Sequence, residues 1–135
     1  MIIINNARIF NGEKEVEENS VIIENNIIKE VGSNFTSSNN SNIIDAKGNF
    51  LMPGLIDAHF HANTPGYDFY ASDRMPAALI AAHAAQILTG VLKRGYTTIR
   101  DAGGGDIGLK LALDAKLIDG PRFFYPGKAI TQTGG

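Results

Sequence analysis

The stretch that decides the fold is PGLIDAHFH, residues 53–61. Pro-Gly marks a turn, and the short apolar run after it predicts a strand that ends in polar groups. Alternate residues of a strand face one side, so His59 and His61 are expected to present their imidazoles together. Asp57 is expected on the same face, where it could orient a ligand, bind the metal itself or line the substrate pocket. Neutral imidazoles bind Zn²⁺ and similar divalent ions well. An H-x-H spacing also occurs in surface and packing residues, so its context matters.

Downstream of this strand, helical and extended patterns alternate. Residues 76–93 carry apolar side chains at helical spacing, and Gly95 follows at the expected C-terminus. Asp106 is expected to cap a second helix over residues 107–117. Further extended segments are expected at residues 97–101, 123–125 and 129–131. The order β-α-β-α-β predicts a parallel α/β fold.

Residues 1–52 have a different pattern, that of a small antiparallel β unit. Residues 2–10 are expected to form one strand. The two asparagines Asn25 and Asn26 predict a hairpin turn, because asparagine tolerates the left-handed conformation. Short extended runs are expected on both sides of the turns, at residues 21–23, 27–28, 43–45 and 50–51. The sequence therefore divides into β strands at 1–52 and an α/β region at 53–135.

Composition excludes several kinds of chemistry. The chain has 135 residues, no cysteine and a formal net charge of -2. Disulfides, thiolate catalysis and thiolate metal sites are excluded. Neither a nucleic-acid partner nor a membrane partner is expected, because there is no basic surface and no apolar run of roughly 18 residues. The N-terminus lacks the features of a secretory signal, so a cytoplasmic location is expected.

Three motifs together resemble the amidohydrolase superfamily. Residues 53–61, preceded by IDAKG at 44–48, are similar to its opening motif. GYTTIRDAGG at 95–104 resembles the second barrel strand and its loop. GKAITQTGG at 127–135 resembles the third strand in the branch related to imidazolonepropionase and Xaa-Pro or Xaa-Arg dipeptidases. The resemblance covers the N-terminal portion of such an enzyme.

The resemblance implies a (β/α)₈ TIM-type barrel, truncated at about strand three, together with a small β-sandwich built partly from the N-terminal strands. It implies one or two divalent metals, Zn²⁺ above all, with His59 and His61 as ligands. The substrate would be a small amide, cyclic amide or dipeptide, hydrolysed by a metal-activated water. The family's other ligands and its general base follow strands four, five, six and eight. No catalytic residue is therefore expected within the chain itself.

Several other polar residues are candidates for a functional or a structural role. Asp101 ends a strand at the active face, where it could make hydrogen bonds behind the metal ligands or cap the glycine turn. Thr131 and Thr133 could line a substrate pocket or simply end a strand. His83 is expected to pack on its helix, and Lys128 is expected to be structural.

Two alternatives to the hydrolase remain. The chain could be a catalytically inactive fragment with a scaffold or pairing role, or part of a deaminase of the same superfamily. Open sheet edges also predict association, including a homo-oligomer. Four apolar residues are expected to keep part of their surface in water: Leu55, Ile56, Ile99 and Ile130.

Overall fold

The structure is a computed structural model that describes residues 1–36, 41–66, 68–128, 130, 132 and 133. The chain forms two compact units, Met1–Pro53 and Gly54–Gly135. The strands of the first unit are β1 Ile2–Asn5, β2 Arg8–Ile9, β3 Ser20–Glu24, β4 Ile27–Gly32, β5 Asn42–Asp45 and β6 Phe50–Leu51. The elements of the second unit are β7 Leu55–Phe60, α1 Phe69–Asp73, α2 Ala77–Lys93, β8 Tyr96–Asp101, α3 Ile107–Asp114 and β9 Arg122–Phe124.

The first unit contains a four-stranded sheet in the order β4-β3-β1-β5 and a separate β2-β6 pair. The predicted hairpin is confirmed: β3 and β4 are antiparallel, and Asn25 and Asn26 have φ values of 51° and 63° between them. A small core of Ala7, Ile9 and Val21 holds the unit together.

Two expectations for this unit were wrong. Residues 2–10 do not form one strand, because Asn6 has a φ of 55° and the chain turns there, so that β1 and β2 join different sheets. The unit is not purely antiparallel either, since β1 pairs with β5 and β2 with β6 in parallel. Parallel pairing needs a long crossover, and the β3–β4 hairpin supplies it for β1 and β5.

The second unit is mixed α/β, and its order β-α-β-α-β is confirmed. Its sheet is parallel throughout, in the order β7-β8-β9. Leu88 and Val91 of α2 are buried in one core with Ile99, Leu109 and Phe123. The expected partial exposure of Ile99 was therefore wrong, because this core covers its side of β8; Leu55, Ile56 and Ile130 are exposed as expected.

Capping side chains and residues with positive φ mark the ends of α2 and α3. Gly95 follows α2 with a φ of 92°. The side chain of Asp106 caps α3 by accepting the N–H of Leu109 at 3.1 Å. The helix ends at Asp114 rather than at 117, because Lys116 has a φ of 55° and turns the chain. The short α1 was not predicted. None of the helices in the described ranges is both long and apolar enough to cross a bilayer.

The extended segment expected at 123–125 is confirmed as β9 at 122–124, in register with β8 through Thr98↔Arg122 and Arg100↔Phe124. The stretch 127–135, which resembles the family's third strand, contributes no strand among its described residues. Ile130 lies outside any strand, while Ala129 and Thr131 fall outside the described residues. The chain leaves the sheet because Gly127, at a φ of 81°, exchanges hydrogen bonds with the loop after β8.

Candidate metal centre

Two imidazoles lie side by side at the carboxyl end of β7. The ring centroids of His59 and His61 are 5.3 Å apart, and the ring planes meet at 72°. His59 is exposed and His61 is half-buried. Parallel α/β folds place their sites at this end of the strands.

A β-bulge contains the first of the two histidines. Between Asp57 and Phe60, β7 uses three steps where β8 uses two, from Ile99 to Asp101. Such a bulge locally disrupts the ladder and changes where side chains point. Phe60 packs against the core of the unit, while His59, the residue before it, stays exposed.

Side chains bond the backbone groups at the bulge. The carboxylate of Asp57 accepts the N–H of His59 at 3.0 Å. The guanidinium of Arg100 donates to the carbonyl oxygen of Ala58 at 3.1 Å. Of the roles expected for Asp57, this geometry matches that of orienting a ligand, because the carboxylate bonds the backbone of a histidine.

The ring of His61 is oriented by the loop after β8. Its Nδ1 lies 3.0 Å from the carbonyl oxygen of Gly103. A carbonyl can only accept, so this contact is a hydrogen bond when Nδ1 carries the proton, and the lone pair of the neutral ring is then on Nε2. Metal-binding histidines commonly donate their other N–H to a carbonyl or carboxylate in this way.

Asp101 lies behind this loop and is 1% exposed. Its Oδ1 accepts the N–H groups of Gly103 at 2.8 Å and Gly105 at 3.1 Å, so it caps the glycine turn. Its Oδ2 accepts the N–H of Ala62 at 2.7 Å. Asp101 therefore caps the glycine turn and also bonds the backbone of the residue after His61, while a role behind the metal ligands stays a prediction.

The pair fits part of a metal site. Two imidazoles that bind one Zn²⁺ at about 2.0–2.1 Å and near the tetrahedral angle have ring centroids roughly 5 Å apart, close to the separation observed. Among the described residues, no group of three or more His, Asp or Glu side chains is placed to hold an ion. Asp57 and Asp101 therefore do not complete the ligand set.

The remaining candidates lie on α2, in the segment after β9, or outside the described residues. His83 is half-buried on α2, and Lys128 is exposed in a bend. Thr133 is exposed in a turn, and Thr131 lies outside the described residues. A groove of the second unit runs between α3 and β9, and its lining residues include neither His59 nor His61.

Sequence reasoning missed two polar residues near the histidines. Arg100 was read only as part of a strand. Asn63 donates from Nδ2 to the carbonyl oxygen of Gly104 at 2.6 Å, while its buried Oδ1 has no hydrogen-bond partner among the described residues. The only sequence signal for Asn63 was its position two residues after His61.

Residues 50–134 match the model of the amidohydrolase family. The chain belongs to this family. Among curated amidohydrolase relatives, a dihydroorotase of Clostridioides difficile is 39% identical over 70 residues, which are 51% of this chain and 17% of that protein. A dihydroorotase of Trichlorobacter lovleyi is 32% identical over 69 residues, 50% of this chain and 16% of that protein.

Solved amidohydrolase-like structures match almost the whole chain. A prolidase complexed with N-methylphosphonate-L-proline is 34% identical with a TM-score of 0.92, over 99% of this chain and 33% of that chain. An ochratoxinase of A. niger is 28% identical with a TM-score of 0.84, over 99% of this chain and 32% of that one. The chain thus spans about a third of the length of these structures.

Proposed function

We propose that this chain supplies the first metal-binding strand of a hydrolase that cleaves carbon–nitrogen bonds in an amide, cyclic amide or dipeptide. The observation that carries the proposal is the placement of His59 and His61, whose rings lie 5.3 Å apart at the carboxyl end of β7. Membership of the amidohydrolase family supports it.

The proposed fold is the start of a (β/α)₈ barrel. The parallel order β7-β8-β9, with helices between the strands, supports this extension. The N-terminal strands, residues 1–52, would contribute to a small β-sandwich. The TM-score of 0.92 to the prolidase over 99% of the chain supports both assignments.

His59 and His61 would hold a divalent ion, with Zn²⁺ the best match to two neutral imidazoles. Such an ion supplies an activated water and polarises the substrate carbonyl. The chain's own residues prepare the ligands: the Gly103 carbonyl orients the ring of His61, and the Asp57 carboxylate holds the backbone of His59. The remaining ligands and the general base would lie on later strands of the proposed barrel, as the resemblance implies.

Two substrate classes have specific support. The likeness to a prolidase complexed with a proline phosphonate favours an Xaa-Pro dipeptide. The likeness to dihydroorotases over about half of the chain favours a cyclic amide as the second candidate.

The test uses a protein that contains this chain together with the later strands of the proposed barrel, called the intact protein below. It is loaded with Zn²⁺ and assayed against Xaa-Pro dipeptides and dihydroorotate. His59→Ala and His61→Ala should each lower bound metal and reduce kcat/KM by about 10³-fold or more, because the metal-activated nucleophile is lost. His83→Ala is the matched control and should stay within a few-fold of wild type, since this histidine lies on α2 away from the pair.

Three results would contradict the proposal. Full metal content in the His59→Ala protein would show that the pair does not bind the metal. Loss of activity in a His83→Ala protein of normal stability would show that the site involves α2. Release of ammonia from an amino-substituted heterocycle, with no hydrolysis of dipeptides or dihydroorotate, would favour the deaminase alternative.

A further inference from the structure

Three successive residues hydrogen-bond the loop after β7 to the end of β8 and to the loop that follows β8. Their bonds run from His61 Nδ1 to Gly103 O at 3.0 Å, from Ala62 N to Asp101 Oδ2 at 2.7 Å, and from Asn63 Nδ2 to Gly104 O at 2.6 Å. We call these three bonds the loop seam. The seam joins one proposed metal ligand to a neighbouring strand of the sheet.

Asp101 accepts the second of the three bonds of the loop seam. Its Oδ1 holds the N–H groups of Gly103 and Gly105. These two amides flank the peptide group whose carbonyl oxygen accepts from His61. The N–H of Gly104, in that same peptide group, donates to Gly127 at 3.0 Å. The acceptor for the imidazole is therefore fixed on both sides.

The carboxylate of Asp101 is committed to the backbone. Its three hydrogen bonds all come from main-chain N–H groups, and its side chain is 1% exposed. Ile99, two residues earlier on the same strand, lies in the core of the unit. Asp101 thus has no contact with an imidazole among these bonds and can affect the site only through the backbone groups that it holds.

We propose that Asp101 is a positioning residue that fixes the ring orientation and the Nδ1–H tautomer of His61. By holding both Ala62 and the turn that contains the Gly103 carbonyl, it presents Nε2 of His61 as the ligand atom. The value of this role to the protein rests on the proposed function, but the tautomer of His61 can be measured in the metal-free protein. If Asp101 served stability alone, its replacement would leave the tautomer of His61 unchanged.

The test is Asp101→Asn in the intact protein. An amide has one acceptor oxygen, so either the Ala62 contact or the glycine-turn contact is lost. Asp106→Asn is the matched control, because it makes the same chemical change at the cap of α3, where asparagine is an equally good capping residue. Val91→Ala is a second control that lowers stability at the C-terminal end of α2, which precedes the start of β8, whereas the loop seam lies at the other end of that strand.

Two readouts separate positioning from stability. Selective ¹⁵N labelling of histidine reports the tautomer of His61 in metal-free protein at about pH 8.5. Calorimetric titration with Zn²⁺ reports affinity. We expect the Nδ1–H tautomer in the wild type, a mixed population in Asp101→Asn, and Zn²⁺ affinity lower by about 10–100-fold. Asp106→Asn and Val91→Ala should match the wild type in both readouts, whatever their melting temperatures.

The outcomes distinguish this inference from the proposed function. An Nε2–H tautomer of His61 in the wild type would overturn the inference without any variant, even if Asp101→Asn fails to fold. An unchanged tautomer and affinity in a folded Asp101→Asn protein would also overturn it, whether or not its melting temperature falls. A wild type that binds no Zn²⁺ but shows the tautomer change in Asp101→Asn would reject the metal site and leave Asp101 as the residue that orients His61.

Discussion

Arg100 donates a hydrogen bond from Nη1 to the carbonyl oxygen of Ala58 at 3.1 Å, inside the bulge of β7 that also contains the first histidine of the pair. A bulge disrupts the ladder hydrogen bonds, and here a side chain of the next strand bonds a backbone group of the bulge. The shape of the histidine strand therefore depends on a residue about forty positions later in the chain.

Replacing Arg100 with Ala should lower the free energy of unfolding by about 0.5–1.5 kcal/mol, the usual net value of one hydrogen bond. Lysine should restore only part of it, because an ammonium lacks the planar fork of the guanidinium. Urea unfolding of the intact protein measures the change. Arg122→Ala is the control, since Arg122 is an exposed arginine of β9. Equal losses in the two alanine variants would show that the bond to Ala58 contributes nothing.

Gly105 should not tolerate a side chain. A Cβ there would lie 2.8 Å from Cγ of Asp101 and 2.8 Å from Cζ of Phe123, both buried. Gly105→Ala should destabilise the protein by about 1–3 kcal/mol, as overpacking does. Gly66→Ala, where a Cβ would meet no atom within 4 Å, should be close to neutral. Thermal unfolding of the two variants tests the contrast, and equal melting temperatures would contradict the close packing around Asp101.

Acid should weaken the turn after β5. The pKa of Asp45 is lowered first by a hydrogen bond from the side chain of Asn6 and second by the backbone N–H of Lys47. A folded-state pKa below the unfolded value means that this stabilisation is present at neutral pH and is lost as pH falls through the folded pKa. Asp45→Asn should therefore make stability less dependent on pH in the acid range. Carbon NMR titration of Asp45 checks the direction, and a pKa at or above the ordinary value would contradict it.

The 135-residue chain alone should bind Zn²⁺ weakly. His59 and His61 supply two ligands, whereas catalytic zinc sites use three protein ligands and structural ones four. Isothermal titration should show binding that EDTA removes at once and that His59→Ala abolishes. Nanomolar affinity would mean that a third ligand comes from within the chain.

The same chain should associate in solution and should be hydrolytically inert. β7 and β9 are the edges of the three-stranded parallel sheet that the structure describes, and Ile56 of β7 is 70% exposed. Unpaired edges and exposed apolar side chains promote association. Size-exclusion chromatography with thermal unfolding measures this. A monodisperse monomer with one sharp transition would show that 135 residues form a self-sufficient fold.

The sequence by itself determined the features that depend on neighbouring residues. The asparagine pair made the β3–β4 turn, Asp106 capped α3, and Gly95 followed α2, because capping and left-handed backbone are local preferences. The alternation of helical and extended periods gave the β-α-β-α-β order. The H-x-H spacing brought the two imidazoles to one end of a strand, and the wider motif gave the family.

Only the tertiary structure decided the features that depend on distant partners. The parallel pairings of β1 with β5 and of β2 with β6 depend on which edges the folded chain leaves available. The bulge in β7 is visible only as a register difference against β8. The three bonds of Asp101 join residues that lie up to 39 positions apart. Hydrogen bonds and packing of this kind have no sequence period, because their energy depends on positions that exist only once the chain has folded.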